Sequence, residues 1–268
     1  MQQRSVGFLN LYAIGFIVLL YGPLLLILLF SFNDSLYVAF PLKGATLKWY
    51  RGLFEFPGLL SALGNSISVA IPVSIVCTVL GLLTARALTR YRVPGRRPII
   101  GLIMLPLVIP YIILGIALLT TARKTFDLPL SLWTVGAAHV LVCLPFSVMV
   151  LLSRFEGFDR SFEEASLDLG ESGWMTFWRV TFPLVFPGVV SSLLLSFTAS
   201  FDEFVLAFFL SGDRPTLPLY IWSQLRFPQK LPGVLALGSC ILVFSFSLIV
   251  IAERIRRKGG SLGQGATI

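Results

Sequence analysis

Residues 160–188 read RSFEEASLDLGESGWMTFWRVTFPLVFPG, and they interrupt a chain that is otherwise built for lipid. Glu163, Glu164, Asp168 and Glu171 crowd the first half of this stretch, and Trp174, Phe177 and Trp178 follow at helical spacing. Ser161, with Glu164 three residues on, fits a capping box in which each side chain accepts the other residue's backbone N–H. Glu163 and Glu164 also fall in a first turn, where carboxylates complement the helix dipole. Gly170 suits a left-handed C-terminal cap. Phe162–Leu169 is therefore predicted as a short helix, about 12 Å long. Phe162, Ala165 and Leu169 share one face, and Glu164 and Asp168 share another. A second helix is expected over Ser172–Thr181, with the three aromatic residues as its apolar stripe and Pro183 as its stop. A helix pair this short is marginal alone. It must pack on the membrane surface, on the protein's own spans, or in a groove of a soluble partner.

The rest of the chain explains why such an insert stands out. Of 268 residues, 56% are hydrophobic and 13% charged, and the mean hydropathy is +0.87. Soluble domains carry roughly a quarter charged residues. The formal net charge of +8 would suggest nucleic acid on a soluble chain. Here the basic residues sit at the ends of apolar runs, where they act as a topology signal, and no nucleic-acid partner is expected. Cys77, Cys143 and Cys240 lie inside apolar runs without metal-type spacing, so they read as small buried hydrophobes and no metal site is expected.

Six apolar runs are long enough to cross a bilayer, which needs about 20 residues per helix: Phe8–Phe32, Ser61–Leu88, Ile99–Ala122, Leu132–Ser153, Leu184–Leu210 and Gly233–Ala252. The fold class is all-α, with the insert lying between the fourth and fifth spans. The first run is too long for a signal peptide and lacks a small-residue cleavage site, so it reads as a retained span. Arg4, the Arg90–Arg97 group, Arg154, Arg160, Arg179 and the Arg254–Lys258 group fall on one set of connections. That set is the richer in Lys and Arg, which predicts that both termini and the insert face the cytoplasm. Loops Asn33–Leu60, Arg123–Ser131 and Ser211–Pro232 then face outward, with Trp49, Trp133 and Trp222 as interfacial anchors. Pro23, Pro72, Pro106, Pro110, Pro145 and Pro187 lie within spans and read as tolerated kinks.

The insert also carries a longer pattern. Glu164-Ala165-Ser166, then Gly170, then Val180, Phe182 and Pro183 resemble the cytoplasmic loop of permease subunits of bacterial binding-protein-dependent ABC importers. That loop reads Glu-Ala-Ala, three residues, Gly, nine residues, Ile, one residue, Leu-Pro. Ser166 replaces the second Ala, Val180 the Ile and Phe182 the Leu, with the spacing intact. The resemblance spans about Leu60 to Arg254 and includes Asn65-Ser66 at the start of the second span. It implies a permease core over residues 60–254, preceded by a span and outer loop over 1–59 and followed by a basic, disordered tail over 255–268. It implies that the short helix is a coupling helix that docks on an ATPase subunit. Glu164, Ala165 and Gly170 are the matching positions, and with Glu163, Ser166, Asp168 and Pro183 they form the candidate docking loop. The implied partners are a second permease subunit (copy or paralogue), two ATPase subunits, an external solute-binding protein and the lipid bilayer of the bacterial inner membrane. No G-x-x-x-x-G-K-[ST] phosphate loop occurs in the sequence. ATP is thus expected to be used by a partner subunit, with no cofactor bound by this chain and no enzymatic site in it.

The other candidate site lies in the fifth run, where Asp202 and Glu203 are the clear intramembrane charges. Ser192, Ser196, Ser200 and Glu203 fall on one helical stripe, and Ser191, Thr198 and Asp202 on its neighbour. Two readings stand. One is a translocation path built from Ser196, Thr198, Ser200, Asp202 and Glu203, its carboxylates attracting a cation, with Phe201, Phe204 and Phe208 placed for cation–π contact. The other is a packing seam of small residues. The stretches FDEFVLAFFLSG (201–212) and TLPLYIWSQLR (216–226) are similar to the spermidine/putrescine-type branch of the family. That implies a polyamine or related amine as substrate, with a non-amine small solute as the alternative. An ion-coupled secondary transporter using Asp202 or Glu203 is the competing class, and a membrane enzyme or assembly scaffold a third, with no clustered reactive groups to support an enzyme. His139, with Cys143 four residues on, reads as a packing residue rather than a metal ligand.

Overall fold

A computed structural model describes residues 2–261, with side chains described from 9 to 255. In chain order the helices are α1 (Gln2–Ser31), α2 (Lys48–Arg51), α3 (Leu59–Arg90), α4 (Arg96–Val108), α5 (Tyr111–Thr120), α6 (Leu132–Glu156), α7 (Ser161–Asp168), α8 (Gly173–Thr176), α9 (Phe182–Phe201), α10 (Val205–Leu210), α11 (Leu217–Gln224) and α12 (Leu231–Ser261). Among the described residues there is no strand, only an isolated antiparallel bridge between Asn33 and Ala45. Five helices are long and apolar enough to cross a membrane: Leu9–Ser31, Leu59–Arg90, Leu132–Glu156, Gly173–Phe201 and Pro228–Ile255. The sixth expected span is a broken one, formed by Arg96–Val108 and Tyr111–Thr125 with a bend of 99° between them.

That break corrects the reading of Pro110 as a kink. Ile109 is extended (φ −78°, ψ 129°), as a residue before proline is pushed to be, and Pro110 itself is extended (φ −55°, ψ 128°). Two consecutive extended residues turn the chain rather than bend a helix. Pro23, Pro72, Pro106, Pro145 and Pro187 do lie inside continuous helices.

The chain forms two compact units. One comprises the described parts of Met1–Leu60 together with Tyr220–Phe244. In it the loop after α1 is fixed by its own polar groups. The Asn33 side-chain oxygen accepts the Lys43 N–H at 2.9 Å, and the Asn33 carbonyl accepts the Trp49 indole N–H at 2.8 Å. The hydroxyls of Ser31 and Tyr50 lie 2.6 Å apart, and Lys48 pairs with Asp34. Trp49 is thus hydrogen-bonded within the loop, while Trp222 is covered by the Arg226 guanidinium at 4.6 Å.

The other unit comprises Ser61–Leu219 and the described part of Ser245–Ile268. Its core gathers Val69, Val73 and Cys77 of α3, Leu114 of α5, Val135, Val142 and Cys143 of α6, and Leu206 and Leu210 of α10. A second cluster joins Ala85, Leu151, Phe155 and Val185. Between them α3, α6 and α9 meet through small polar residues. The Ser147 hydroxyl donates to the Cys77 carbonyl at 2.7 Å and lies 2.6 Å from the Ser192 hydroxyl, which in turn lies 3.2 Å from that of Thr78. A Cβ on Gly81 would overlap Ser147, so glycine is what lets these backbones approach. Asn65 donates to the Pro215 carbonyl at 3.0 Å and Ser66 accepts the Leu217 N–H at 2.8 Å, so this pair pins the segment before α11.

At the C-terminus α12 continues through Ser261, into the stretch expected as a disordered tail. Residues 262–268 lie outside the described residues.

Candidate functional site

The insert folds as a helix–turn–helix, but its start differs from the expected capping box. The carbonyl of Arg160 already accepts the N–H groups of Glu163 (2.9 Å) and Glu164 (3.0 Å), so Ser161 is inside the helix and cannot cap it. Asp159 takes that place: its side-chain oxygen accepts the Ser161 N–H at 3.0 Å. This backbone N–H, and then the Ser161 hydroxyl, hold the Asp159 carboxyl below its ordinary value. The C-terminal end is as expected. Gly170 has φ +90°, its N–H donates to Leu167, and the Glu171 N–H donates to Ser166. This is a Schellman motif, and left-handed backbone of this kind favours glycine.

Pro183 does not stop the second helix. Gly173–Phe201 runs as one helical span, with a π-helical turn over Phe177–Thr181 just before the proline. The wider turn accommodates a ring that lacks an N–H and would crowd the preceding carbonyl. Ser172 caps the start by accepting the Met175 N–H at 3.3 Å. Trp174 and Trp178 are exposed, whereas Phe177 is buried beneath the Arg86 guanidinium at 4.3 Å. The aromatic stripe is therefore split between two faces.

Glu163 fixes α7 to the bundle. One carboxylate oxygen lies 2.5 Å from Nε of Arg90, at the end of α3, and the other accepts the Thr181 hydroxyl at 2.6 Å. The Glu163 and Arg90 side chains are only 15% and 12% exposed. The Arg90 guanidinium also covers the Phe158 ring at 4.5 Å. The Ser166 hydroxyl lies 3.1 Å from that of Thr176, bracing α7 against α8. With Glu163 turned inward, Glu164, Ala165, Asp168 and Gly170 are exposed, as are Phe162, Leu167 and Leu169. A short rigid helix thus presents carboxylates and apolar side chains together, away from its anchors. Pro183 is exposed on α9, outside this cluster.

The second candidate site departs further from the linear reading. The expected fifth span does not reach Leu210: α9 ends at Phe201, and α10 starts at Val205. Glu203 turns into the protein at the break, with 8% of its surface exposed. Its carboxylate accepts the N–H groups of Val205 (2.9 Å), Leu206 (2.9 Å) and Ala207 (3.2 Å), which α10 would otherwise leave unpaired at its start. The same carboxylate lies 3.2 Å from Nε2 of His139. Nδ1 of His139 lies 2.8 Å from the Ser200 hydroxyl. His139 is thus a buried polar link between α6, α9 and α10, which corrects its reading as packing alone. Ser191, Ser192, Ser196, Thr198 and Ser200 are all buried within this unit, and Ser191 donates to the Ala252 carbonyl at 3.0 Å. Asp202 differs: it is exposed, and Ser245 of α12 donates to it at 3.0 Å. The rings of Phe204 and Phe208 lie 5.9 Å apart, and Phe201 is buried.

Sequence reasoning missed Arg90, Thr181 and Ser245, whose partners lie far along the chain and carry no local spacing. The pairing of His139 with Glu203 had a usable signal, because a buried ionisable group in a span seeks another.

The architecture defines a polytopic helical membrane protein whose loop between two long spans is held stiffly to their ends. The chain belongs to the family of binding-protein-dependent transport system inner membrane components, whose family model matches residues 77–259. It is 35% identical over 240 residues to the spermidine/putrescine transport system permease protein PotC of Haemophilus influenzae, covering 89% of this chain and 92% of that protein. It is 34% identical to PotC of Escherichia coli, covering 89% of each chain. It is 33% identical to the putrescine transport system permease protein PotI of Escherichia coli, covering 89% of this chain and 86% of that one. The fold is similar to a crystal structure of a bacterial ABC transporter that imports alginate (TM-score 0.64, 18% identity, 96% of this chain and 97% of that chain). It is also similar to a bacterial alginate ABC transporter in complex with an alginate pentasaccharide-bound periplasmic protein (TM-score 0.71, 16% identity, 96% and 94%). This chain is a permease subunit of an ABC importer, not its ATPase subunit. Membership of this family sets aside the ion-coupled secondary transporter.

Proposed function

We propose that this subunit carries a polyamine or related amine inward across the bacterial inner membrane, driven by ATP used in separate subunits. The substrate class rests on the relatives, whose names specify spermidine and putrescine. In this reading a second permease subunit completes the pathway and two ATPase subunits bind the loops. An external solute-binding protein delivers the amine. Both termini and α7 face the cytoplasm, and this chain itself binds no cofactor.

The observation that carries the coupling role is the division of labour in α7. Glu163 ties the helix to Arg90 and Thr181, while Glu164, Ala165, Asp168 and the apolar Leu167 and Leu169 point outward. A helix anchored to the ends of two spans transmits rigid-body motion when a partner grips its free face. Gly170 sets the turn that makes this compact shape. Asp202 is the carboxylate proposed to face the path, because Glu203 is committed to α10 and His139.

Reconstitution in liposomes tests the proposal. Uptake of labelled spermidine or putrescine is expected only with the ATPase subunits, ATP and the binding protein present together. Transport by this chain alone without ATP refutes the coupling. ATP-driven uptake of a non-amine solute, with no response to either amine, refutes the substrate class.

A further inference from the structure

A basic recess opens where α3 and α6 end, and the transport reading leaves it without a role. It has a volume of about 690 Å3 and is lined by Arg90, Arg92, Arg96 and Arg160, against Glu156 and Asp159. Both carboxylates are already engaged. Glu156 lies 2.6 Å from the Arg96 guanidinium, and Asp159 accepts the Ser161 N–H. Arg90 is held by Glu163, and Arg160 donates to the Thr89 carbonyl. Arg92 has no ion pair among the described residues. Four arginines thus face three carboxylates, counting Glu163, and a positive excess remains among the described residues.

The recess is not wholly polar. Leu88, Val93, Phe155 and Phe158 form its apolar wall. Its depth in the bilayer follows from the helices that frame it. The apolar course of α3 ends at Arg90 and that of α6 at Glu156. Tyr91, beside the recess, is exposed. Arg86, one turn earlier on α3, covers Phe177, whose neighbour Trp178 is also exposed. Exposed Tyr and Trp at the ends of spans mark the headgroup level. A concave basic site with an apolar wall at that level matches a ligand that is anionic at one end and apolar at the other.

We propose that this recess binds the phosphate group of an anionic phospholipid, with Arg92 as its free cation. The site lies on the side of α7, beside the Arg90–Glu163 pair, so an occupied recess stiffens the seat of that helix. The inference rests on the chain spanning a membrane and does not depend on the amine substrate.

The test uses the full transporter, delipidated in detergent and titrated with short-chain phosphatidylglycerol, with bound lipid counted by native mass spectrometry. Binding is expected to weaken about fivefold for Arg92→Gln and about thirtyfold for Arg92→Glu, while Arg92→Lys binds as the parent does. Arg214→Gln, exposed and elsewhere in the unit, serves as the control and is expected to bind normally. Equal binding of phosphatidylcholine, or unchanged phosphatidylglycerol binding by Arg92→Glu, overturns the proposal. Inorganic phosphate that competes with the affinity of the lipid overturns the lipid assignment in favour of a soluble anion. Loss of the ATPase subunits from Arg92→Glu with lipid binding intact shows a protein contact instead, and also overturns it.

Discussion

Replacing Glu163 with Gln isolates the charge that seats the coupling helix. Glutamine keeps an oxygen for the Thr181 hydroxyl but loses the ionic contact with Arg90. Both partners are largely shielded, at 15% and 12% exposed, so solvent weakens the pair little. Neutralising one partner of a buried ion pair costs about 3–5 kcal/mol, and with the partial exposure of this pair a loss of about 2 kcal/mol is expected, which shifts a local opening equilibrium about thirtyfold. An eight-residue helix such as α7 has little stability of its own to resist that shift. Hydrogen exchange of the full transporter in nanodiscs reads the effect directly. The amides of α7 are expected to exchange about thirtyfold faster, while those of α6 stay unchanged. The cycle with Arg90→Gln adds the decisive arm, because residues in contact are non-additive. Unchanged exchange in α7, or single effects that simply add to within about 0.5 kcal/mol, would refute the anchoring role.

Three further outcomes follow from the same geometry. Gly170→Val places a β-branched residue at φ +90° and is expected to cost about 1–2 kcal/mol. Since an added Cβ there meets no atom within 4 Å, the cost is backbone strain alone, and Gly170→Asn should be much milder in a thermal melt and in ATP-coupled uptake. Glu203→Gln removes the charge that serves three backbone N–H groups and His139, so the melting temperature should fall by the equivalent of about 2–3 kcal/mol. Asp202→Asn should leave the melt unchanged and reduce amine uptake; unimpaired uptake would remove Asp202 from the path. Asp159 titrates below the ordinary aspartate value of 3.8, so its cap on α7 is complete above that value and is lost as the pH falls through the lowered one. Exchange of the first α7 amides should therefore rise in that acidic range, and Asp159→Ala should abolish the pH dependence.

The helical class and four of the six spans were legible because apolar length is a local property; the third is broken at Pro110 and the fifth ends at Phe201. Gly170 was legible for the same reason, since its cap depends only on the residues it joins. The start of α7 was not. Ser161 and Asp159 are both good caps, and which one acts depends on the backbone geometry of Arg160. The break after Phe201 was hidden for a different reason. Residues 184–210 carry no charge but Asp202 and Glu203 and are apolar on average, and hydropathy alone reads such a run as one helix.

By itself, the sequence determined that this is a membrane protein with a compact helical insert, and the Glu164-to-Pro183 spacing tied that insert to a family. Hydrophobic length, capping chemistry and motif spacing are written within a few residues or a few turns. Only the tertiary structure decided which carboxylate does what. Glu163, not its neighbour Glu164, meets Arg90, although 72 residues of chain lie between that arginine and Glu163. Glu203 turns inward to His139 while Asp202 stays exposed, although the two are adjacent. Neighbouring carboxylates have nearly the same local pattern, so their roles are set by partners that only packing brings within reach.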